Sequence, residues 1–212
     1  APAPAEPAAA PAAVVKPETR PRMTQTSLFE FSVPALTAEP DVPAKPLADH
    51  KGKVALVVNV ASECGYTPQY GGLQALYQEL AIDGQLPFTI LAFPSNDFGE
   101  QEPGGPDEIN KTCTKYKVTF PLYGKISVTG DSADPLYRWI IQQPASGNEP
   151  PKWNFTKFVV DHNGKVVARF DTRISPDDPT LRRTLNELLA AAPKTSAPTS
   201  TNPDSKAPVD PK

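Results

Sequence analysis

Apolar and polar positions divide the chain into short β-like runs and helix-like segments. The run Val54–Val58 is continuous, apolar and rich in β-branched residues. This pattern is typical of a strand buried on both faces, although so short a run does not by itself exclude a helix. Apolar residues then recur at a spacing of three and four between positions 73 and 80, which predicts an amphipathic helix. The β-rich run Phe88–Phe93 follows, so the three segments predict a right-handed parallel strand–helix–strand unit.

The segments on either side of this unit are less regular. Leu28–Val33 alternates moderately and predicts a strand, and the prolines after it predict a loop with an edge element. A Gly/Pro-rich loop is predicted over Pro94–Pro106, a short helix over Asp107–Tyr116 and a strand over Phe120–Val128. The loop leaves the carboxyl end of a predicted strand, where open α/β sheets gather their ligand sites.

The last part of the pattern predicts a helix, a hairpin and a second helix. Asp134, followed by a proline, marks the start of the first helix. The runs Phe155–Val160 and Lys165–Phe170 flank an Asn-Gly turn signal, which predicts a β-hairpin. Ser175–Asp178 resembles a capping box, with proline in the first helical position of a leucine-rich helix. The element order predicts an α/β thioredoxin-like fold, in which helices flank a central mixed sheet.

The composition of the two ends differs from that of the middle. Residues 1–23 are rich in Ala and Pro, and residues 193–212 are rich in Pro, Ser and Thr. We expect disordered tails or linkers there, around one domain at residues 24–192. The printed chain begins with Ala1, and an Ala/Pro-rich leader is typical of a spacer behind a cleaved signal peptide. The periplasm and the cytoplasm therefore both remain open as its location.

Charge and composition argue against several classes of partner. The net charge is −3 and no long basic run occurs, so nothing indicates binding to nucleic acid or to an anionic membrane surface. No stretch is long and apolar enough to predict a membrane span. The two histidines, His50 and His162, lie far apart without a Cys/His cluster, which argues against a metal site. No Gly-rich nucleotide fingerprint occurs, and we expect no cofactor.

Cys64 lies in the turn between the buried strand and the first predicted helix. Thr67 as N-cap and Pro68 in the first helical position would place the thiol just ahead of a helix N-terminus, which stabilises a thiolate. Because the residue three positions after Cys64 is Thr67, the chain lacks a Cys-x-x-Cys dithiol at this turn. On position alone, Cys64 is either a reactive nucleophile or a small buried hydrophobic residue.

Three motifs resemble a known family. Asn59–Gly65 (NVASECG), Phe93–Gly104 (FPSNDFGEQEPG) and Trp153–Phe158 (WNFTKF) are similar to the active-site segments of glutathione peroxidases, and they occur in the family's order. The resemblance extends from about Ser27 to Leu189. It implies a thiol peroxidase that reduces hydrogen peroxide and organic or lipid hydroperoxides.

The resemblance also implies a catalytic set. Cys64 would be the peroxidatic residue, and Gln101, Trp153 and Asn154 would surround it as uncharged hydrogen-bond donors. Without the family pattern, the last three are explained equally well as a loop residue, a core or rim aromatic residue and a turn former. A sulfenic acid formed at Cys64 is the first step of cysteine oxidation.

Cys113 stands in a segment that resembles the resolving-cysteine helix of the non-selenium, thioredoxin-dependent branch. The resemblance implies that Cys113 resolves the sulfenic acid as a Cys64–Cys113 disulfide, after local unwinding of its helix, and that thioredoxin reduces this disulfide. A permanent structural disulfide is the alternative. Two further alternatives are a redox-sensing module with the same disulfide as its switch and a glutathione-dependent one-cysteine peroxidase.

The chain departs from the family pattern at three places. Ser95 stands where members often have Cys, and Asp97 where they usually have Gln. If Asp97 faced the site, its charge would disfavour a thiolate. The segment between Ile141 and Trp153 is short, which favours a monomer or weak dimer with an open site. Residues that would hold glutathione cannot be matched, which favours thioredoxin over glutathione as the reductant.

Overall fold

The computed structural model describes residues 23–37, 39 and 41–193. Apart from residues 23 and 193, the predicted tails at 1–23 and 193–212 lie outside the described residues. The strands are β1 Ser32–Val33, β2 Lys45–Pro46, β3 Val54–Val60, β4 Phe88–Pro94, β5 Lys157–Val160 and β6 Val166–Phe170. The helices are α1 Gln69–Tyr77, α2 Pro106–Lys115, α3 Pro135–Ile141 and α4 Pro179–Ala191.

A four-stranded mixed sheet forms the centre, in the order β4-β3-β5-β6. β3 and β4 are parallel along their whole length, as the strand–helix–strand pattern predicts, and α1 connects them. β5 pairs with β3 antiparallel, and β6 pairs with β5 antiparallel. The predicted hairpin is therefore confirmed, and Gly164 supplies the positive φ of its turn (+86°). This order and these directions form the predicted thioredoxin-like fold.

Helices cover both faces of the sheet. Side chains of α3 pack on one face, around Val57 and Phe158. Side chains of α1 and α4 pack on the other face, around Leu56 and Val159. All seven residues of β3 are buried, which explains why this strand is a continuous apolar run with a single polar residue, Asn59.

The predicted strand at Leu28–Val33 is only partly correct. Leu28–Glu30 forms a 3₁₀ helix, because the hydroxyl of Ser27 accepts a hydrogen bond from the Phe29 backbone N–H (3.3 Å) and caps a tight turn. Only Ser32–Val33 remains extended, paired with β2 in a separate two-stranded ribbon.

The predicted strand at Phe120–Val128 is wrong. The segment lies beside the edge of β4, and the Tyr123 backbone N–H donates to the Ala92 carbonyl (3.0 Å). Pairing is limited to isolated bridges. Pro121 has no N–H to contribute, which interrupts a regular ladder at this edge.

The N-cap residue is the predicted one at α3 and differs from the prediction at α1 and α4. The Asp134 carboxylate caps α3, as predicted, by accepting from the Leu136 N–H (2.8 Å). The N-cap of α1 is Pro68 and not the predicted Thr67, whose hydroxyl has partners in the preceding turn. α4 begins later than the Ser175–Asp178 pattern predicts, because Asp178 itself is the N-cap.

The connection between α3 and β5 is short, as the sequence shows, and contains one 3₁₀ turn at Pro144–Ser146. The oligomeric state stays a prediction. Among the helices of the described residues, none has the length and apolar character needed to cross a membrane.

Candidate active site

Three loops meet at the end of the sheet where β3 and β4 finish and β5 begins. The first loop, residues 61–68, leaves the carboxyl end of β3, and the second loop, residues 95–105, leaves the carboxyl end of the parallel strand β4. The third loop, residues 151–156, enters β5 at the same end, because β5 runs antiparallel to β3. The four residues of the implied catalytic set, Cys64, Gln101, Trp153 and Asn154, are distributed over these three loops.

The first loop holds the Cys64 thiol in a hydrogen-bonded turn. The Cys64 backbone N–H donates to the Thr67 hydroxyl (3.0 Å), which in turn donates to the Ala61 carbonyl (2.8 Å). The Cys64 side chain is buried, and its Sγ accepts a hydrogen bond from the Tyr66 backbone N–H at 3.4 Å. A backbone N–H donor is thus directed at the sulfur.

The second and third loops are joined by a pair of side-chain amides. Asn154 Nδ2 donates to Gln101 Oε1 at 3.1 Å, and Asn154 is fully buried. The Gln101 carbonyl also accepts from the Glu63 backbone N–H (3.0 Å), which ties the second loop to the residue before Cys64. Since Oε1 of Gln101 is used as an acceptor, its Nε2 remains a donor for another partner.

Trp153 forms the exposed wall of the site. Its indole is 38% exposed and packs against Phe98 of the second loop, with ring centroids 5.8 Å apart. Gly99 adopts a left-handed conformation (φ +62°), and a Cβ there would lie 3.6 Å from the Trp153 ring and 3.5 Å from Gln101 Nε2. Gly99 therefore lies against both side chains. Its left-handed backbone conformation also disfavours any other residue at this position.

The structure thus brings Gln101, Trp153 and Asn154 together, beside the loop that carries Cys64. Within the described residues, no hydrogen bond joins the Cys64 Sγ to any of these three side chains; its one donor is the Tyr66 N–H. A substrate oxygen bound at the sulfur would be the partner for their free donors.

Asn59 belongs to the first motif, Asn59–Gly65, although the resemblance implies no role for it. It is fully buried at the end of β3, and its Nδ2 donates to the Trp153 carbonyl (3.1 Å). Its Oδ1 accepts from the Thr156 N–H (3.1 Å), and its own carbonyl accepts from the Phe155 N–H (2.6 Å). Asn59 therefore fixes the backbone on both sides of Asn154. The sequence signal that identifies such a residue is a single polar side chain inside an otherwise apolar, buried strand.

Cys113 lies on α2, which begins directly after the second loop, and is buried. Both cysteines are free thiols in this structure, so it contains no Cys64–Cys113 disulfide. Burial, and secondarily the charge of Glu102, raises the pKa of Cys113 to about 11. At neutral pH Cys113 in this position is therefore a thiol and not a thiolate.

Glu102, which follows Gln101 in the second motif, is another residue to which the resemblance assigns no role. It is buried, and its Oε2 accepts from the Ser62 hydroxyl (3.2 Å), two residues before Cys64. Its Oε1 is buried without a hydrogen-bond partner among the described residues. Burial raises the pKa of this carboxyl above its ordinary value. Through Ser62 and through its effect on Cys113, Glu102 is linked to both cysteines.

Within the described residues, neither of the two substituted positions of the second loop, Ser95 and Asp97, is hydrogen-bonded to the Cys64 sulfur. Asp97 Oδ2 accepts from the backbone N–H groups of Val128 (2.6 Å) and Thr129 (3.0 Å) and from the Ser127 hydroxyl (3.0 Å). Its carboxylate is thus occupied by the segment before α3. Ser95 is buried, and its hydroxyl accepts from the Asp97 N–H (3.4 Å).

An open cleft of about 460 Å³ lies next to Trp153. The first loop, the third loop and the segment after β6 line it, with Tyr66, Lys152, Trp153, Asp171, Thr172 and Arg173. Within the described part of the chain, no group of three or more His, Cys, Asp or Glu side chains is arranged to hold a metal ion.

Comparison with known proteins shows the family of this chain. The family model described as glutathione peroxidase matches residues 29–141. The hydroperoxy fatty acid reductase gpx1 of Synechocystis sp. is 47% identical over 160 residues, covering 72% of this chain and 90% of that protein. The glutathione peroxidase-like peroxiredoxin gpx1 of Schizosaccharomyces pombe is 50% identical over 134 residues, covering 62% of this chain and 83% of that protein.

Solved structures support the fold. The crystal structure of Trgpx in its apo form superposes with a TM-score of 0.63 at 37% identity, covering 79% of this chain and 99% of that one. A thiol:disulfide interchange protein of the thioredoxin family from Chlorobium tepidum superposes with a TM-score of 0.50 at 18% identity, covering 75% and 97%. The second likeness concerns the fold alone.

Proposed function

Because the chain belongs to the glutathione peroxidase family and is a thiol peroxidase, we propose that Cys64 is its peroxidatic residue and Cys113 its resolving residue. The observation that carries this assignment is the Asn154–Gln101 amide pair, which holds uncharged donors beside the loop of Cys64. Gln101, Trp153 and Asn154 then act as the donors that receive the substrate's oxygens.

In the first step, the Cys64 thiolate attacks the distal oxygen of a hydroperoxide. The S–O bond forms and the O–O bond breaks, so Cys64 becomes a sulfenic acid and the leaving oxygen departs as an alcohol, or as water from hydrogen peroxide, after taking up a proton. The Tyr66 N–H stabilises the thiolate before attack. Amide and indole N–H groups stabilise the negative charge that develops on the leaving oxygen.

In the second step, the Cys113 thiolate attacks the Cys64 sulfur. The S–S bond forms, the S–O bond of the sulfenic acid breaks, and the hydroxide leaves as water after taking up a proton. Cys113 is poorly suited to this in its buried position, because burial holds its pKa at about 11. Exposure to water would return that pKa toward its ordinary value and supply the thiolate. This cost of burial supports the expectation that the C-terminal part of α2 unwinds before the disulfide forms.

In the third step, an external dithiol reduces the disulfide by exchange and is itself oxidised to a disulfide. We infer that this reductant is thioredoxin or a similar dithiol protein, because the chain has a second cysteine that can resolve the sulfenic acid. The substrates we propose are hydrogen peroxide and larger organic hydroperoxides, including those of fatty acids. The open cleft beside Trp153, and the Synechocystis relative named for hydroperoxy fatty acids, support the larger substrates.

The test is consumption of hydrogen peroxide and of a fatty acid hydroperoxide by the reduced protein. Each substrate is supplied with thioredoxin plus its reductase, and separately with glutathione. Wild type is compared with Cys64→Ser and Cys113→Ser. We expect turnover with thioredoxin that is lost in both variants.

The other outcomes separate the alternatives. Turnover with glutathione that survives Cys113→Ser would assign the chain to a one-cysteine cycle. Oxidation of Cys64 without turnover by either reductant would favour a redox-sensing module. No reaction of Cys64 with either hydroperoxide would overturn the proposed function.

A further inference from the structure

Lys157, the first residue of β5, is a fully buried lysine. Its Nζ donates to the Phe155 carbonyl (2.8 Å) and to the Ile174 carbonyl (2.7 Å). Buried lysines are rare unless they are paired, and no ion pair of Lys157 occurs among the described residues. Both of its partners are neutral, so their contacts must offset the cost of burying an ammonium group.

The carbonyls that Lys157 holds belong to the two segments that wall the cleft. Phe155 directly follows Asn154 and has a left-handed backbone conformation (φ +64°), which is uncommon for an aromatic residue and needs support from its surroundings. Ile174 follows the segment in which the Thr172 hydroxyl donates to the Asn154 carbonyl (2.8 Å). The ammonium therefore bridges the third loop and the segment after β6.

No charged group faces Lys157 from the neighbouring elements. β3 and α1 contain no acidic or basic residue. On β6, Arg169 is directed to the carbonyl of Glu149 and to Asp171. Beside Ile174, Asp171 and Arg173 are exposed. The acidic and basic residues of α4, which packs on this face, are exposed or half-exposed: Arg182, Arg183 and Glu187.

We propose that Lys157 is a positioning residue of the peroxidase site: its ammonium group holds the third loop, and with it Trp153 and Asn154, in the orientation seen here. Loss of the ammonium proton weakens both contacts, since charge-assisted hydrogen bonds are about twice as strong as neutral ones. The site then loosens while the fold remains intact. This inference rests on the proposed function, because it concerns the same donors.

The charge of Lys157 is sensitive to pH in the physiological range. Burial alone lowers the pKa of Lys157 to about 7. Below that pH the ammonium form bridges the two carbonyls, and above it the neutral amine does. The orientation of Trp153 should therefore change as the pH crosses about 7.

Fluorescence quenching by acrylamide tests this without any assay of activity. The chain has two tryptophans, and Trp139 is buried with its Nε1 bonded to the Gln25 carbonyl (2.7 Å), so acrylamide reports on Trp153. We expect quenching of the reduced wild type to rise between about pH 6 and about pH 8.5, which brackets the titration of Lys157. In Lys157→Met, quenching should be high and independent of pH. Lys165→Met, an exposed lysine in the same hairpin, is the matched control and should follow the wild type.

The second measurement is the rate constant for oxidation of Cys64 by hydrogen peroxide in a single turnover, which needs no reductant. We expect Lys157→Met to be slower by about 10- to 100-fold at low pH, because small displacements of catalytic groups cost this much. The ratio of the wild-type to the variant rate constant should fall as the pH rises through about 7. A purely structural role would leave the ratio independent of pH.

The outcomes distinguish this inference from the proposed function. Quenching of the wild type that does not change with pH would overturn the role of Lys157, even if Lys157→Met failed to fold. A constant ratio of rate constants would overturn it as well. A wild type whose Cys64 does not react with hydroperoxide would overturn the proposed function, whereas the quenching experiment would still test Lys157.

Discussion

Asn154 Nδ2 donates to Gln101 Oε1 at 3.1 Å, across two loops whose residues are 53 positions apart in the chain. The bond fixes the Gln101 amide with its oxygen toward Asn154 and its nitrogen free. An amide that donates is useful beside a thiolate or a breaking O–O bond, whereas an amide oxygen turned toward either would repel it. In the proposed mechanism, Asn154 therefore acts on the chemistry in part through the orientation of Gln101.

Asn154→Ala should slow the oxidation of Cys64 by about 10²-fold, the usual cost of removing one preorganised donor. The measurement is single-turnover oxidation by hydrogen peroxide. A double-mutant cycle with Gln101→Ala tests the pair itself, with an expected coupling in unfolding free energy of about 1 kcal/mol. Additive effects of the two substitutions on the rate would contradict an action of Asn154 through Gln101.

Asn59→Ala should both destabilise the protein and slow the reaction. The substitution leaves the Thr156 N–H buried without its acceptor and releases the Trp153 carbonyl. We expect the free energy of unfolding in urea to fall by about 2 to 3 kcal/mol, the range for an unsatisfied buried group plus a lost contact. Asn186→Ala, on the exposed face of α4, is the control and should leave stability unchanged. Equal effects of the two substitutions would show that Asn59 does not anchor the third loop.

The sequence predicts the parts of the fold that local pattern determines. The continuous apolar run of β3 and the Asn-Gly turn between β5 and β6 are both confirmed, because burial on two faces and turn geometry act within a few residues. The Leu28–Val33 and Phe120–Val128 strands fail for a different reason. Their backbone partners are set by a side-chain cap at Ser27 and by the edge of β4, and alternation of residues does not encode either.

The candidate site was likewise predictable from the sequence only in part. The motifs indicate which residues take part, but they do not show that Asn59 and Lys157 anchor the third loop, because those contacts join positions from β3, β5 and the segment after β6. The direction of Asp97 was likewise open on sequence, and only the contacts of its carboxylate decide it.

Asp97→Ala should affect stability and not the reactivity of Cys64. Its carboxylate accepts three hydrogen bonds from Ser127, Val128 and Thr129, so we expect the free energy of unfolding to fall by about 1 to 2 kcal/mol. Asp97→Asn, which keeps one acceptor oxygen, should lose less. The rate of alkylation of Cys64 by iodoacetamide, measured in Cys113→Ser, should be unchanged in both. A faster alkylation in both variants would show that the Asp97 charge does reach the thiolate.

Glu102→Gln should lower the pKa of Cys113 below its value of about 11, because the Glu102 charge is the second cause that raises it. The measurement is the pH dependence of Cys113 alkylation in a Cys64→Ser background. Gln keeps an acceptor for the Ser62 hydroxyl, so the local structure should be retained. We expect the midpoint to shift to lower pH while burial keeps it above that of a free thiol. An unchanged midpoint would mean that Glu102 does not influence the Cys113 thiol.

Lys157 should make the stability of the protein increase with pH above neutrality. Its pKa in the folded protein, about 7, lies below its ordinary value of 10.5. Between these two values the unfolded chain holds a proton that the folded protein has released, so raising the pH favours the folded state. One such group contributes at most about 1.4 kcal/mol per pH unit to the free energy of unfolding.

Urea unfolding of wild type and Lys157→Met at pH values between about 7 and about 9 measures this contribution, since the window lies between the folded and unfolded pKa values of a buried lysine. The difference between the two proteins isolates Lys157 from Cys113 and Tyr123, whose raised pKa values act in the opposite direction at higher pH. We expect the variant to be relatively more stable near pH 7 and to lose that advantage as the pH rises, because methionine fills the same space without a charge to bury. A difference that does not change with pH would mean that Lys157 keeps its proton throughout the window, and the pH-dependent role proposed for Lys157 would then fail as well.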